Sequence, residues 1–189
     1  YYVAHASGCR TVDVEGVERI DFANNMASLV HGHGHPAIVE AVTAQLSRGT
    51  AFTMATEAEI IFARHLCGRS PGFDKVRFVN SGTEAVMAAL KAARAFPDRP
   101  KIAKSGGTYH GAYDYAEVSQ SPAPERWGQA DRPASVPLAV GTPAGVVQDV
   151  VVLPFNDAAA ATAILDQHRG EIACVLVDPM PHRAGLVPV

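Results

Sequence analysis

Residues 80–96, NSGTEAVMAALKAARAF, run from a polar turn straight into an amphipathic helix, and the segment KVRFV at 75–79 just before them reads as a strand. Val86, Ala89, Leu90, Ala93 and Phe96 are spaced to share one helical face. The turn Ser81-Gly82-Thr83 is therefore expected at a strand-to-helix junction. The first N–H groups of a helix have no internal carbonyl partners, and the positive end of the helix dipole points the same way. An anion is stabilised there without any nearby lysine. Ser81 and Thr83 add hydroxyl donors, and Gly82 lets a ligand approach the backbone closely. The pattern points to a phosphate site. The same residue types also make an ordinary N-cap, because Ser or Thr followed by a Glu such as Glu84 is common at helix starts.

Outward from this turn, the chain reads as a short β-rich start followed by alternating strands and helices. Residues 11–14 and 18–22 alternate around Glu15-Gly16-Val17, which predicts a hairpin. Pro36 stands in the first turn of a helix reaching about Arg48, with Ile38, Val39, Val42 and Leu46 as its apolar stripe. Thr56 caps a helix from Glu57 to about Gly68; acidic residues suit its first turn, and Glu59 completes no specific motif. Strands are expected at 101–104, 150–153 and 172–177, with a helix from Asp157 to about His168. Apolar strands separated by helices imply a parallel α/β sheet. The stretch 119–147, rich in Pro, Gly, Ala and Ser, reads as a long loop, which in a compact domain is usually functional or mobile.

The chain has 189 residues, 48% hydrophobic and 19% charged, enough to bury a core in one or two domains. A formal net charge of -3 argues against nucleic acid or an anionic membrane as partner. The apolar runs are short, and Tyr1-Tyr2-Val3-Ala4-His5 has no basic region with an apolar stretch behind it. Neither a membrane span nor a signal peptide is expected. Cys9, Cys67 and Cys174 are odd in number and contain no CxxC pair, which fits reduced thiols and a cytoplasmic location. His31, His33 and His35 alternate with glycines and invite a metal reading. No further ligand stands nearby at zinc-like spacing, so no metal is assigned.

Four ordered motifs carry a family resemblance: VNSGTEAVMAALKAAR at 79–94, SGGTYHGAYD at 105–114, PAGVVQDVVVLPFND at 143–157 and EIACVLVDPM at 171–180. Together with the stretch at 10–42, they resemble class III pyridoxal-phosphate-dependent aminotransferases. The subgroup they are most similar to is that of glutamate-1-semialdehyde 2,1-aminomutase and relatives acting on β- or aryl-substituted amino acids. The resemblance covers essentially the whole chain. It implies a fold type I transferase, α/β, with a parallel-rich sheet flanked by helices. Residues 1–50 would be the first part of a small α+β domain and residues 51–189 the first half of the large cofactor-binding domain. It implies amino transfer between an amino acid and a keto acid or aldehyde through Schiff-base intermediates, in a homodimer. The alternatives are the intramolecular aminomutase reaction and a catalytically inactive homologue that acts as a binding partner.

The resemblance also implies site residues. Ser81, Gly82 and Thr83 would hold the phosphate of pyridoxal 5'-phosphate, and Tyr109, with His110 beside it, would cover one face of its ring. Gly111 would keep that neighbourhood open. Asp178 would support the cofactor site from behind, where relatives more often carry Glu-Pro; the bland alternative is a strand-ending Asp before Pro179. Arg183 stands where relatives often have an asparagine near the phenolic oxygen, as a cationic donor there or as the mark of a different substrate preference. Ser28, beside Asn24 and Asn25, would reach the substrate pocket or else cap a turn. In the family, the Schiff-base lysine lies beyond the point matching Val189. Lys75, Lys91, Lys101 and Lys104 lie outside that motif and read as surface residues. No catalytic lysine is assigned, and the chain is expected to be inactive by itself, as the amino-terminal part of a longer enzyme.

Overall fold

A computed structural model describes residues 1–189, which form two compact units, Tyr1–Val76 and Arg77–Val189. In the first unit, β1 (Val3–Ser7), β2 (Arg10–Asp13) and β3 (Glu18–Ile20) form an antiparallel sheet in that order. The hairpin joins β2 to β3 as the alternation predicts. Asp13 builds its turn: Oδ1 accepts from the N–H groups of Glu15 at 3.0 Å and Val17 at 2.9 Å, and Oδ2 pairs with Arg19. These hydrogen bonds and the Arg19 guanidinium hold the Asp13 carboxyl below its ordinary range. The strand β1 carries no apolar alternation, so its sequence VAHAS did not announce it.

The short element α1 (Asn24–Ala27) is a left-handed turn, with φ between 46° and 63° across its four residues. The helix α2 (Pro36–Leu46) starts at proline as expected. Its apolar stripe does not line a core, since Ile38 and Leu46 are 48% and 58% exposed. In α3 (Glu57–Arg69), Glu59 does complete a specific motif, contrary to the sequence expectation. Its carboxylate accepts from the Thr56 N–H at 2.8 Å while its own N–H donates to Thr56 Oγ1 at 3.3 Å, a full capping box.

The second unit holds the parallel sheet. Residues 75–79, expected as a strand, form none and join no sheet, and Phe78 and Val79 remain 37% exposed. A β-pattern needs a neighbouring ladder to become a strand, and none adjoins this one. After it come α4 (Gly82–Ala95), β4 (Lys101–Ser105), α5 (Asp114–Glu117), the short antiparallel pair β5 (Gly128–Gln129) and β6 (Arg132–Pro133), α6 (Ala144–Gln148), β7 (Val150–Leu153), α7 (Ala158–Gln167) and β8 (Ile172–Leu176). The stretch 119–147 is thus a loop interrupted by a small hairpin and a helical turn.

The sheet order is β7-β4-β8, parallel throughout, so β4 is the central strand. Alternation gives it two buried faces. On one, Ile102, Val150 and Val152 pack with Leu90 of α4, Val118 and Val146. On the other, Ala103, Val151 and Leu153 pack against Ile164 of α7. Of the expected α4 stripe, Val86 and Leu90 reach the sheet, whereas Phe96 caps the helix at 96% exposure. No helix is long and apolar enough to cross a membrane.

Because Ile102 is fully buried at the middle of this core, Ile102→Ala should cost about 2–5 kcal/mol in urea unfolding. Phe96→Ala, on an exposed cap, should stay within about 0.5 kcal/mol.

Candidate active site

Ser81 is the N-cap of α4: its backbone is extended and its Oγ accepts from the Glu84 N–H at 3.1 Å. Glu84 reaches back to the Asn80 N–H at 2.7 Å. Ser81 therefore has the capping role. Capping consumes the donor of Glu84, while the N–H groups of Gly82 and Thr83 belong to the first turn, where no earlier carbonyl of the helix can reach them. Gly82 is exposed, and a Cβ placed on it would meet nothing within 4 Å, so the turn faces open space wide enough for a ligand group.

Thr83 does more than its place in the turn suggested. Its Oγ1 accepts from the Ala112 N–H at 3.0 Å, which ties the helix start to the segment after β4. Gly111, buried there with φ at +89°, would place a Cβ 2.6 Å from Thr83 Oγ1 and 2.9 Å from Thr83 Cα. The expectation that Gly111 keeps its surroundings open is corrected: it is the point of closest packing between the two segments. Only a residue without a side chain fits, and only glycine adopts that φ without strain.

The same segment presents Tyr109, 42% exposed, and His110, half-buried. The Tyr109 ring meets the His182 ring edge-on at a centroid distance of 5.9 Å, and the Arg183 guanidinium lies 5.4 Å from the Tyr109 centroid. Asp178 follows β8, and its Oδ1 accepts from the Met180 N–H at 3.0 Å. Four stretches distant in sequence, at 81–83, 108–112, 178 and 182–183, thus converge beyond the carboxyl ends of β4 and β8, where parallel sheets bind ligands. Ser28 belongs to the other unit, where its hydroxyl donates to Asn25 O at 2.8 Å and accepts from Asn25 Nδ2 at 2.9 Å.

The hydrogen bonds determine the tautomer of His110. The Thr108 hydroxyl donates its single proton to Ser105 O at 2.7 Å, so toward His110 Nε2, 3.0 Å away, it can only accept. The proton of the neutral ring sits on Nε2, and Nδ1 keeps its lone pair. Burial lowers the His110 pKa from 6.5 to about 4, and the Lys104 charge adds to that lowering while Asp178 opposes it.

Lys104 is the residue the sequence reading misplaced. Rather than lying at the surface, it is fully buried at 0% exposure, with Nζ 2.8 Å from Val118 O and 3.5 Å from Thr108 O. Its position in register with Ile102 on an alternating strand was the available signal. Lys75 and Lys91 are exposed, and Lys101 pairs with Glu171. In the first unit, His33 pairs through Nε2 with Asp21 at 2.7 Å and the His31 and His35 rings lie 5.2 Å apart; no group of three His, Cys, Asp or Glu side chains is arranged to hold a metal.

Comparison with known proteins shows the family. The family model for aminotransferase class-III matches residues 1–189. The chain belongs to the class III aminotransferase family. A glutamate-1-semialdehyde 2,1-aminomutase of Ignicoccus hospitalis is 39% identical over 188 residues, which are 100% of this chain and 43% of that protein. The crystal structure of an omega-transaminase from Sphaerobacter thermophilus superposes at a TM-score of 0.94 with 51% identity, over 99% of this chain and 42% of the other. A transaminase solved with pyridoxal phosphate bound superposes at 0.88 with 48% identity, over 100% of this chain and 42% of its own. The class III chain described here therefore spans less than half the length of these relatives.

In the folded state His110 takes up its proton only near pH 4, against 6.5 when unfolded, so the unfolded chain binds more protons between those values and stability falls as pH drops through that window. An NMR titration of the His110 ring should give a midpoint near 4, and His110→Gln should flatten the loss of stability between pH 6.5 and 4.

Proposed function

We propose that this chain binds pyridoxal 5'-phosphate and forms part of an enzyme that moves an amino group between a small amino acid and a keto acid or aldehyde. The observation that carries the reading is the joint between Thr83 and Ala112, which ties the start of α4 to the segment that carries Tyr109. The open space in front of Gly82 suits a phosphate, and the exposed face of Tyr109 suits a flat ring. When bound, the cofactor supplies a carbonyl that exchanges with the substrate amine and a ring that draws electrons from the carbon bearing it.

The roles of the residues follow from their chemistry. The N–H groups of Gly82 and Thr83 hold the phosphate, and the Thr83 hydroxyl, whose oxygen already accepts from Ala112, has its own proton free to donate to it. Ser81 shapes the turn through its bond from Glu84. Tyr109 covers the ring and keeps water from that face. His110 stays neutral at neutral pH and offers Nδ1 as an acceptor. Asp178 provides negative charge near the ring side of the site, and Arg183 a cationic donor for a substrate or cofactor oxygen. Ser28 is a candidate substrate contact, and its bonds to Asn25 suit turn-capping equally well. Residues 1–50 act as the start of a small domain and 51–189 as the first half of the cofactor-binding domain. The whole protein works as a cytoplasmic homodimer; the exposed apolar residues of α2 and the three free thiols support that setting.

A second reading, intramolecular amino transfer, is favoured by the aminomutases of which this chain is 39% identical to one. Supplying glutamate-1-semialdehyde alone, against an amino acid with a keto acid, separates the two by which mixture turns over.

In the whole protein, Thr83→Ala should weaken pyridoxal phosphate by roughly 1–3 kcal/mol, the scale of a hydrogen bond to a charged group. Equilibrium dialysis showing unchanged affinity would sink the phosphate assignment. Tyr109→Ala should loosen the cofactor while Tyr109→Phe retains most of the contact, since the ring face and not the hydroxyl does the covering. Equal damage from both would assign the role to the hydroxyl.

A further inference from the structure

Lys104 occupies the central strand of the sheet with Val152 and Leu176 as its cross-strand neighbours. It shares a face with Ile102, beneath a lid formed by Val118. A charged ammonium in such a place is costly unless paired, and Lys104 takes part in none of the ion pairs of the structure. Burial accordingly drops its pKa from 10.5 to about 8, which still leaves it charged at neutral pH. An apolar side chain of similar length would suit the core at least as well. The core does not explain the lysine.

What the ammonium touches does. Its two acceptors, Thr108 O and Val118 O, are the first and last residues of the segment that carries Tyr109, His110 and Gly111. That segment is closed at its base by the bond from Gly107 N–H to Ser119 O at 2.9 Å. Ser119 is itself held in a left-handed conformation, φ +52°, by its bonds to Ala134 and Val136. From outside, the segment is fastened to Thr83 through Ala112. Lys104 is the only side chain that fastens it from inside at both ends.

We propose that Lys104 is a positioning residue for the ligand site: its buried ammonium clamps the carbonyls of Thr108 and Val118 and thereby holds the Tyr109 ring at the angle that covers a bound ring. The proposal rests on the reading of Tyr109 as that cover. Lys104 does not touch the ligand; it acts through Tyr109.

The test uses four forms of the whole protein: wild type, Lys104→Met, Tyr109→Ala and the double variant, with Lys104→Gln as a fifth that keeps a donor amide toward Val118. Three quantities are read: affinity for pyridoxal phosphate, affinity for inorganic phosphate, and the thermal midpoint. Lys104→Met should weaken pyridoxal phosphate roughly tenfold to a hundredfold, the range of a lost charge-assisted hydrogen bond. Its affinity for inorganic phosphate should not change, and its thermal midpoint should hold or rise because an unpaired buried charge has gone. Lys104→Gln should fall between the two. In the Tyr109→Ala background, Lys104→Met should cost nothing further.

Unchanged pyridoxal phosphate affinity in Lys104→Met overturns the proposal. So does an equal loss of inorganic phosphate affinity, a loss that adds to that of Tyr109→Ala, or failure of both Lys104 variants to fold. A wild-type protein that does not bind pyridoxal phosphate, or a Tyr109→Ala protein that binds it as well as wild type, refutes instead the reading of the site on which the proposal stands.

Discussion

The contact between Gly111 and Thr83 is the constraint around which the site is arranged. One hydrogen bond, Ala112 N–H to Thr83 Oγ1 at 3.0 Å, crosses a gap too narrow for any Cβ. It forces the segment after β4 to turn with positive φ directly over the start of α4. The turn that presents backbone donors and the turn that presents an aromatic ring are thereby set at fixed separation before any ligand arrives. Such preorganisation lowers the ordering cost of binding. The distance is in turn set by the core, because Leu90 and Val86 seat α4 against the face of the sheet that carries Ile102.

The electrostatics of the site follow from the same packing. Burial disfavours the charged form of His110, and the positive charge of Lys104 adds to that effect. Thr108 connects the two: its carbonyl lies near the ammonium, and its hydroxyl orients the imidazole. The start of α4, tied to the segment by the Thr83–Ala112 bond, carries no cationic side chain at 81–83. Asp178 counters part of this field at His110 and keeps the site from being uniformly positive.

Where the sequence reading held, the signal was local. The helix at 82–95, the capping by Ser81, the hairpin around 15–17, the helix after Asp157 and the three strands of the parallel sheet each follow from a few neighbouring residues. Periodicity and cap chemistry act over one or two turns, so they survive in the sequence without the fold. Local pattern misled where a partner was needed. Residues 75–79 alternate like a strand but find no ladder, and Phe96 continues a helical stripe past the point where the sheet ends. Glu59 looked idle because a capping box is complete only when both side chains adopt the reciprocal geometry.

By itself the sequence determined the family and the helix start at Ser81, since residue types in fixed order suffice for these. It could not determine which of its lysines was buried. Lys101 and Lys104 stand three residues apart on one strand, one paired with Glu171 at the edge of the fold and the other sealed beneath Val118. That difference comes from what packs over each, and the covering residues lie fourteen and seventy positions away. The convergence of Thr83, Gly111, Tyr109 and Arg183 is of the same kind. Only the folded sheet decides it, because the carboxyl ends of parallel strands are brought side by side by hydrogen bonds between segments that share no local pattern.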